Sequence, residues 1–183
     1  MRQWLIPVAV IFSLPLSLPA QAIGELIGGD MNFRGTVIAH GCSVVPASET
    51  IAVDFGEISL RTLYAQRKSS PKKFIIALQD CSNAIFNAVT VTFSGTKNTN
   101  MTDRIMITPV APNTVSGIGI GFEEEDGTAI LLDTPSQAVT IPDSTTMQLS
   151  FNAFVEAEED ALNNSTLQPG EFKATAYYTL NYQ

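Results

Sequence analysis

The amino-acid sequence predicts an all-β domain, a sandwich of the immunoglobulin-like kind braced by one disulfide. Short runs of alternating apolar and polar residues recur along it, with turn residues between them about every ten positions. Two cysteines, Cys42 and Cys81, lie in a chain that opens like an exported protein, where an even cysteine count reads as a disulfide. Helical periodicity is nearly missing; only 60–68 is compatible with a helix.

Residues 1–22 read as a secretory signal peptide. Arg2 gives the positive start, 5–18 the apolar run, and Ala20-Gln21-Ala22 the small-x-small site that signal peptidase accepts. The run is too short and wrongly flanked for a membrane anchor, and Pro7, Pro15 and Pro19 oppose a spanning helix. No later stretch is long and apolar enough, so no transmembrane segment is expected in the mature chain, 23–183. That length suits one domain with a real core. Removing Arg2 with the leader takes the net charge from −8 to about −9. Nucleic acid is thereby an unsuitable partner, because binding it needs a basic footprint.

The strands follow in order. Residues 50–55 (Thr-Ile-Ala-Val-Asp-Phe) alternate and stop at Gly56; 74–78 run into Asp80 and Cys81; 86–93 end at Ser94-Gly95. Shorter candidates are 105–109, 118–122, 129–132 and 138–141. A long one, 147–155, puts Met147, Leu149, Phe151 and Ala153 on one face. The connections at 95–102, 123–127, 134–136 and 158–170 are polar and rich in breakers. A Cys42–Cys81 bridge closes a loop of about 40 residues, worth about 4 kcal/mol in the chain-entropy model.

The two ends carry the most information. The last strand, 172–182, sets Phe172, Ala174, Ala176, Tyr178, Leu180 and Tyr182 on one face, with nothing after Gln183 to cover its edge. At the other end, Gly24, Gly28 and Gly29 make 23–35 flexible when free. Yet Ile27, Gly29, Met31, Phe33 and Gly35 are spaced by two, so an extended backbone aligns the large apolar groups on one side. Burying Ile27, Met31 and Phe33 beside a strand contributes about 5–9 kcal/mol, at about 1.5–3 each. The segment is either an arm for insertion elsewhere or the first strand of its own sandwich; composition leaves both open.

Catalytic and metal chemistry find little support. His40 is the single histidine; two thiols and one histidine make no convincing zinc site, and no serine sits in a nucleophile-elbow sequence. Residues 123–126 (Glu-Glu-Glu-Asp) lack the spacing of a known calcium loop and read with Gly127 as a hydrated hairpin turn. Glu156, Glu158, Glu159 and Asp160 read as a wet loop. The glycosylation-type triplets at Asn100 and Asn163 are incidental for a bacterial export route. No cofactor or metal is expected, and no enzyme.

Several stretches together resemble the type 1 fimbrial (chaperone–usher) pilins. They are 33–44 (Phe-Arg-Gly-Thr-Val-Ile-Ala-His-Gly-Cys-Ser-Val) around the first cysteine, 78–81 (Leu-Gln-Asp-Cys) around the second, 91–95 (Val-Thr-Phe-Ser-Gly), and the ending 174–183. That ending has a penultimate Tyr182, and Gly170 stands fourteenth from the C-terminus. The resemblance implies an incomplete immunoglobulin-like sandwich that lacks its seventh strand and is completed by a donor strand. It implies domains at 1–22 (signal peptide), 23–36 (N-terminal donor-strand extension) and 37–183 (pilin domain). It implies strand addition, first by a periplasmic chaperone and then by the arm of a neighbouring pilin, with an outer-membrane usher as further partner. Gly29 resembles the small residue at the pocket where exchange begins, with Ile27, Met31 and Phe33 in neighbouring pockets. The strand carrying Gly170, Ala174, Ala176, Tyr178, Leu180, Tyr182 and the carboxylate of Gln183 is the implied chaperone contact. The implied role is a structural fimbrial subunit exported through the periplasm to the cell surface, supporting adhesion. The bulky arm suggests a minor or terminating subunit. The alternative from a different class is a secreted, monomeric carbohydrate-binding module.

Overall fold

The computed structural model describes residues 28–37, 41–112 and 114–183; the leader, Ile27 and His40 lie outside them. The chain divides into two units, Met1–Val37 and Ile38–Gln183. In the first, 28–37 are exposed and form neither helix nor strand.

The second unit runs β1 (Ser43–Val44), a 3-10 turn at Pro46–Ser48, α1 (Leu60–Gln66), β2 (Lys72–Gln79), β3 (Ala88–Gly95), β4 (Ile105–Met106) and β5 (Thr108–Pro109). It continues with β6 (Ile118–Glu124), β7 (Ala129–Ile130), β8 (Val139–Thr140), β9 (Thr146–Ala157), α2 (Glu159–Asn163), β10 (Phe172–Lys173) and β11 (Ala176–Tyr182). One sheet has the order β1-β2-β9-β6-β4, with β7 also on β6; a second has β11-β3-β8; β10 and β5 form a separate pair. The alternating residues meet between the sheets. Ile76, Leu78, Leu149 and Phe151 from one sheet and Val89, Val91 and Phe93 from the other are all buried in one cluster. Phe93 stacks on Phe122 at 4.4 Å and meets Phe151 edge-on at 5.2 Å, geometries aromatic rings favour. Cys42 and Cys81 are joined as a disulfide at the edge of this core.

Most expected strands are present, with instructive departures. The run 105–109 is cut at Ile107: β4 pairs with β6 and β5 with β10, so the chain changes sheets there. Ile107 packs on both the main core and a second cluster around Leu63, Val155 and Leu167, which fixes the crossing point. The ending 172–182 is likewise cut, because β10 follows β5 while β11 follows β3. Ala174 and Ala176 are consequently exposed rather than on a core face. Residues 50–55 form no strand. Within the expected loop 158–170 lies α2, too short to register as periodicity; Glu159 and Asp160 in its first turn suit the positive end of the helix dipole.

The acidic run 123–126 is not a uniformly hydrated turn. Glu123 and Glu124 end β6 and are 4% and 9% exposed. Glu123 pairs with Lys68 at 3.2 Å, and the N–H of Gln137 donates to Glu124 Oε1 at 2.7 Å. Burial pushes the Glu124 carboxyl above its usual value, against the lowering effect of that hydrogen bond. Only Glu125 and Asp126 are wet. Glu156 is no loop residue either: it lies in β9 and accepts from Arg104 Nε at 2.6 Å. Among the described residues no cluster of His, Cys, Asp or Glu could hold a metal, and no helix is long and apolar enough to cross a membrane.

Candidate functional site

β11 is the outermost strand of its sheet. It pairs with β3 from Ala176 opposite Gly95 to Tyr182 opposite Val89, and no strand among the described residues takes its other edge. Alternate N–H and C=O groups on that edge are open to a further strand. Its inward side chains, Tyr178, Leu180 and Tyr182, are only half-buried although they pack on the core.

A second unpaired segment is 50–55. Ile51, Val53 and Phe55 turn toward the core and are half-buried, while Thr50, Ala52 and Asp54 are exposed. Among the described residues no backbone-to-backbone hydrogen bond reaches 50–55. The strand-like alternation is therefore there without a ladder. β1 pairs with β2 over only two residues before Pro46 turns the chain away, which leaves 50–55 without a neighbour. Phe55 and Phe172 approach across this side at 6.3 Å between ring centres. β11 and 50–55 thus each combine half-buried apolar side chains with backbone that has no strand partner among the described residues.

Two tyrosines of β11 reach the chain that precedes 50–55. Tyr178 Oη donates to the carbonyl of Ser48 at 2.7 Å, and Tyr182 Oη to the carbonyl of Cys42 at 2.9 Å. Burial raises both phenols above their ordinary value, so both remain protonated donors at neutral pH. The Tyr182 ring lies 5.6 Å from that of Phe86, and a Cβ at Gly41 would collide with it. The Ser48 hydroxyl in turn accepts from the N–H of Ala77 in β2 at 3.0 Å.

The remaining sequence-singled residues are distributed as follows. Gly170 lies where a Cβ would come within 2.8 Å of Thr114 Cβ and the Val115 nitrogen, so the glycine permits a close approach of loops. The main-chain oxygen of Gln183 accepts from the N–H groups of Asn87 and Ala88 at 2.7 and 3.1 Å. Gly29, Met31 and Phe33 are exposed in the first unit, Met31 at 77% and Phe33 at 84%; Ile27 lies outside the described residues. Sequence reasoning missed Gly41, Ser48 and the acceptors of the two tyrosines. None of these had a signal in the sequence, since a carbonyl partner is invisible until the sheets are placed.

The profile of the fimbrial protein family matches residues 31–183. The chain belongs to the fimbrial protein family. This pilin is 38% identical over 183 residues to PmfF of Proteus mirabilis (strain HI4320), whose description is that of a minor fimbrial subunit, with all of both chains covered. It is 29% identical to the fimbrial adapter PapK of Escherichia coli, over 92% of this chain and 96% of that one. Its fold matches a chain in the solved structure of a chaperone–usher pilus with a TM-score of 0.64 and 25% identity, covering 87% of this chain and 98% of that one. It is a structural subunit of a bacterial fimbria, displayed on the cell surface, and not an enzyme. The monomeric carbohydrate-binding alternative is not favoured.

Proposed function

We propose that β11 and 50–55 border a cleft that receives a β-segment from another polypeptide, and that residues 23–36 are the segment this pilin lends to a neighbouring subunit. The observation that carries the reading is the pair of half-buried, unpaired borders, Tyr178-Leu180-Tyr182 and Ile51-Val53-Phe55, in a chain whose Met31 and Phe33 are exposed. Strand addition answers both deficits: backbone bonds close the edge, and alternate side chains fill the core gap. Burial of Met31 and Phe33 contributes about 1.5–3 kcal/mol each. Gly29, spaced by two from Met31, lies on the same side and brings no bulk; Ile27 completes the series.

Before assembly a periplasmic chaperone covers the same edge, pairing with the strand that carries Gly170, Ala174, Ala176, Tyr178, Leu180, Tyr182 and Gln183, and an outer-membrane usher takes the subunit to the surface. An open edge beside an unfinished core would otherwise aggregate. The 38% identity to PmfF, against 31% to a major fimbria protein of the same strain, supports a minor position in the fimbria over a rod subunit.

The test is to refold the full chain with and without a synthetic peptide of residues 23–36. The expected result is a one-to-one complex that melts at higher temperature and aggregates less. A well-behaved monomer that ignores the peptide and binds glycans saturably would overturn the reading in favour of the monomeric module.

A further inference from the structure

We propose that Tyr178 and Tyr182 are positioning residues for strand reception, their hydroxyls holding β11 at a set distance from Ser48 and Cys42 so that its free edge stays open to an incoming segment. The proposal rests on the reading that β11 receives a strand. Half-buried Ile51, Val53, Phe55 and Leu180 gain by packing against one another, which would close the edge of β11, because apolar burial is favourable whatever the geometry. Apolar packing is non-directional and cannot prevent this. Hydrogen bonds of defined length and angle can.

The two hydroxyls are placed to act this way. Alternation along β11 sends 178 and 182 inward, one on each side of Leu180, so the braces stand two residues to either side of it. Each lands on backbone that is itself tied to β2, in the other sheet. Cys42, whose carbonyl accepts from Tyr182, is bonded to Cys81 just past the end of β2. Ser48, whose carbonyl accepts from Tyr178, takes the Ala77 N–H of β2 on its own hydroxyl. The disulfide and Ser48 Oγ thus serve as footings, and the tyrosines as cross-members between sheets. The Tyr182 ring is seated by the missing side chain of Gly41 and by Phe86.

The bonds also suit an apolar occupant. Side chains such as Met31 and Phe33 offer nothing to a hydroxyl, so one left unpaired under them would cost its full desolvation penalty. Both are already satisfied from within the domain, and no buried side-chain nitrogen or oxygen among the described residues is without a partner. A segment can therefore enter over them without breaking either bond.

The experiment follows association and dissociation of a fluorescently labelled peptide of residues 23–36 with the refolded full chain by stopped flow. It compares Tyr178→Phe, Tyr182→Phe and the double variant, each retaining its ring. Association is expected to slow about five-fold per hydroxyl, as the fraction of chains with a receptive cleft falls. Dissociation is expected to stay as in the unaltered chain, because the occupant then sets the spacing. Ser48→Ala, which removes a footing and leaves both tyrosines intact, is expected to slow association as Tyr178→Phe does; it and the single variants decide the matter if the double variant fails to fold. Unchanged or faster association, or dissociation accelerated to match the loss of affinity, would overturn the bracing role. An unaltered chain that fails to take the peptide at all would instead sink the strand-reception reading beneath it.

Discussion

At Gly41 the absence of a side chain is a packing requirement, since a Cβ would enter the ring of Tyr182. The residue precedes Cys42 in sequence but meets its partner 141 positions later, so nothing local marks it as special. Gly41→Ala is expected to destabilise the domain by about 1–3 kcal/mol, the usual cost of overpacking a filled site. A denaturation midpoint that falls at unchanged slope, measured on chain supplied with the arm peptide, is the outcome that agrees; an unmoved midpoint refutes it. Glycines elsewhere act differently. Gly119 and Gly121 alternate along the outer face of β6, and Gly121 leaves room for Arg104 and Phe154 to lie against the sheet, with the Arg104 guanidinium 5.3 Å and the Lys68 amine 4.9 Å from the Phe154 ring. The alternation that marks 118–122 as a strand is the same feature that makes this room.

Among the elements, those whose pairing spans many residues were readable from period alone. β2, β3, β6 and β9 form the centre of the two sheets, and each runs for seven residues or more. Short pieces were not. Whether 105–109 and 172–182 continue or break depends on which neighbour each half finds, and that is settled by the crossing at Ile107 and the close approach of Ile105 and Thr175 to Gly95. The acidic ending of β6 was misread because its charges are answered by Lys68 and by the N–H of Gln137, partners far along the chain. The central strands should also bear most of the stability. Phe93 sits between Phe122 and Phe151 and is 2% exposed. Phe93→Ala should cost about 3–5 kcal/mol, seen as loss of most of the folded population in mild denaturant; a drop below about 1 kcal/mol would show that the core collapses around the gap.

For the whole molecule, the proposed giving and receiving of a strand fall to different parts of the chain, residues 23–36 and the edge of β11. Met31→Asp with Phe33→Asp alters only the arm. A charge placed where an apolar side chain must be buried is strongly penalised, so this chain should still bind the wild-type peptide of 23–36 while its own altered peptide fails to bind. Equal binding by the two peptides would show that the apolar spacing of the arm is irrelevant. The leader, the alternation, the paired cysteines and the spaced apolar groups of the arm are all patterns of near neighbours, and each could be recognised along the chain. An unpaired strand edge is a different kind of property. It consists of a neighbour that never arrives, and it became visible only when β11 was seen paired on one side, 50–55 on neither, and two tyrosine hydroxyls reaching across to Ser48 and Cys42.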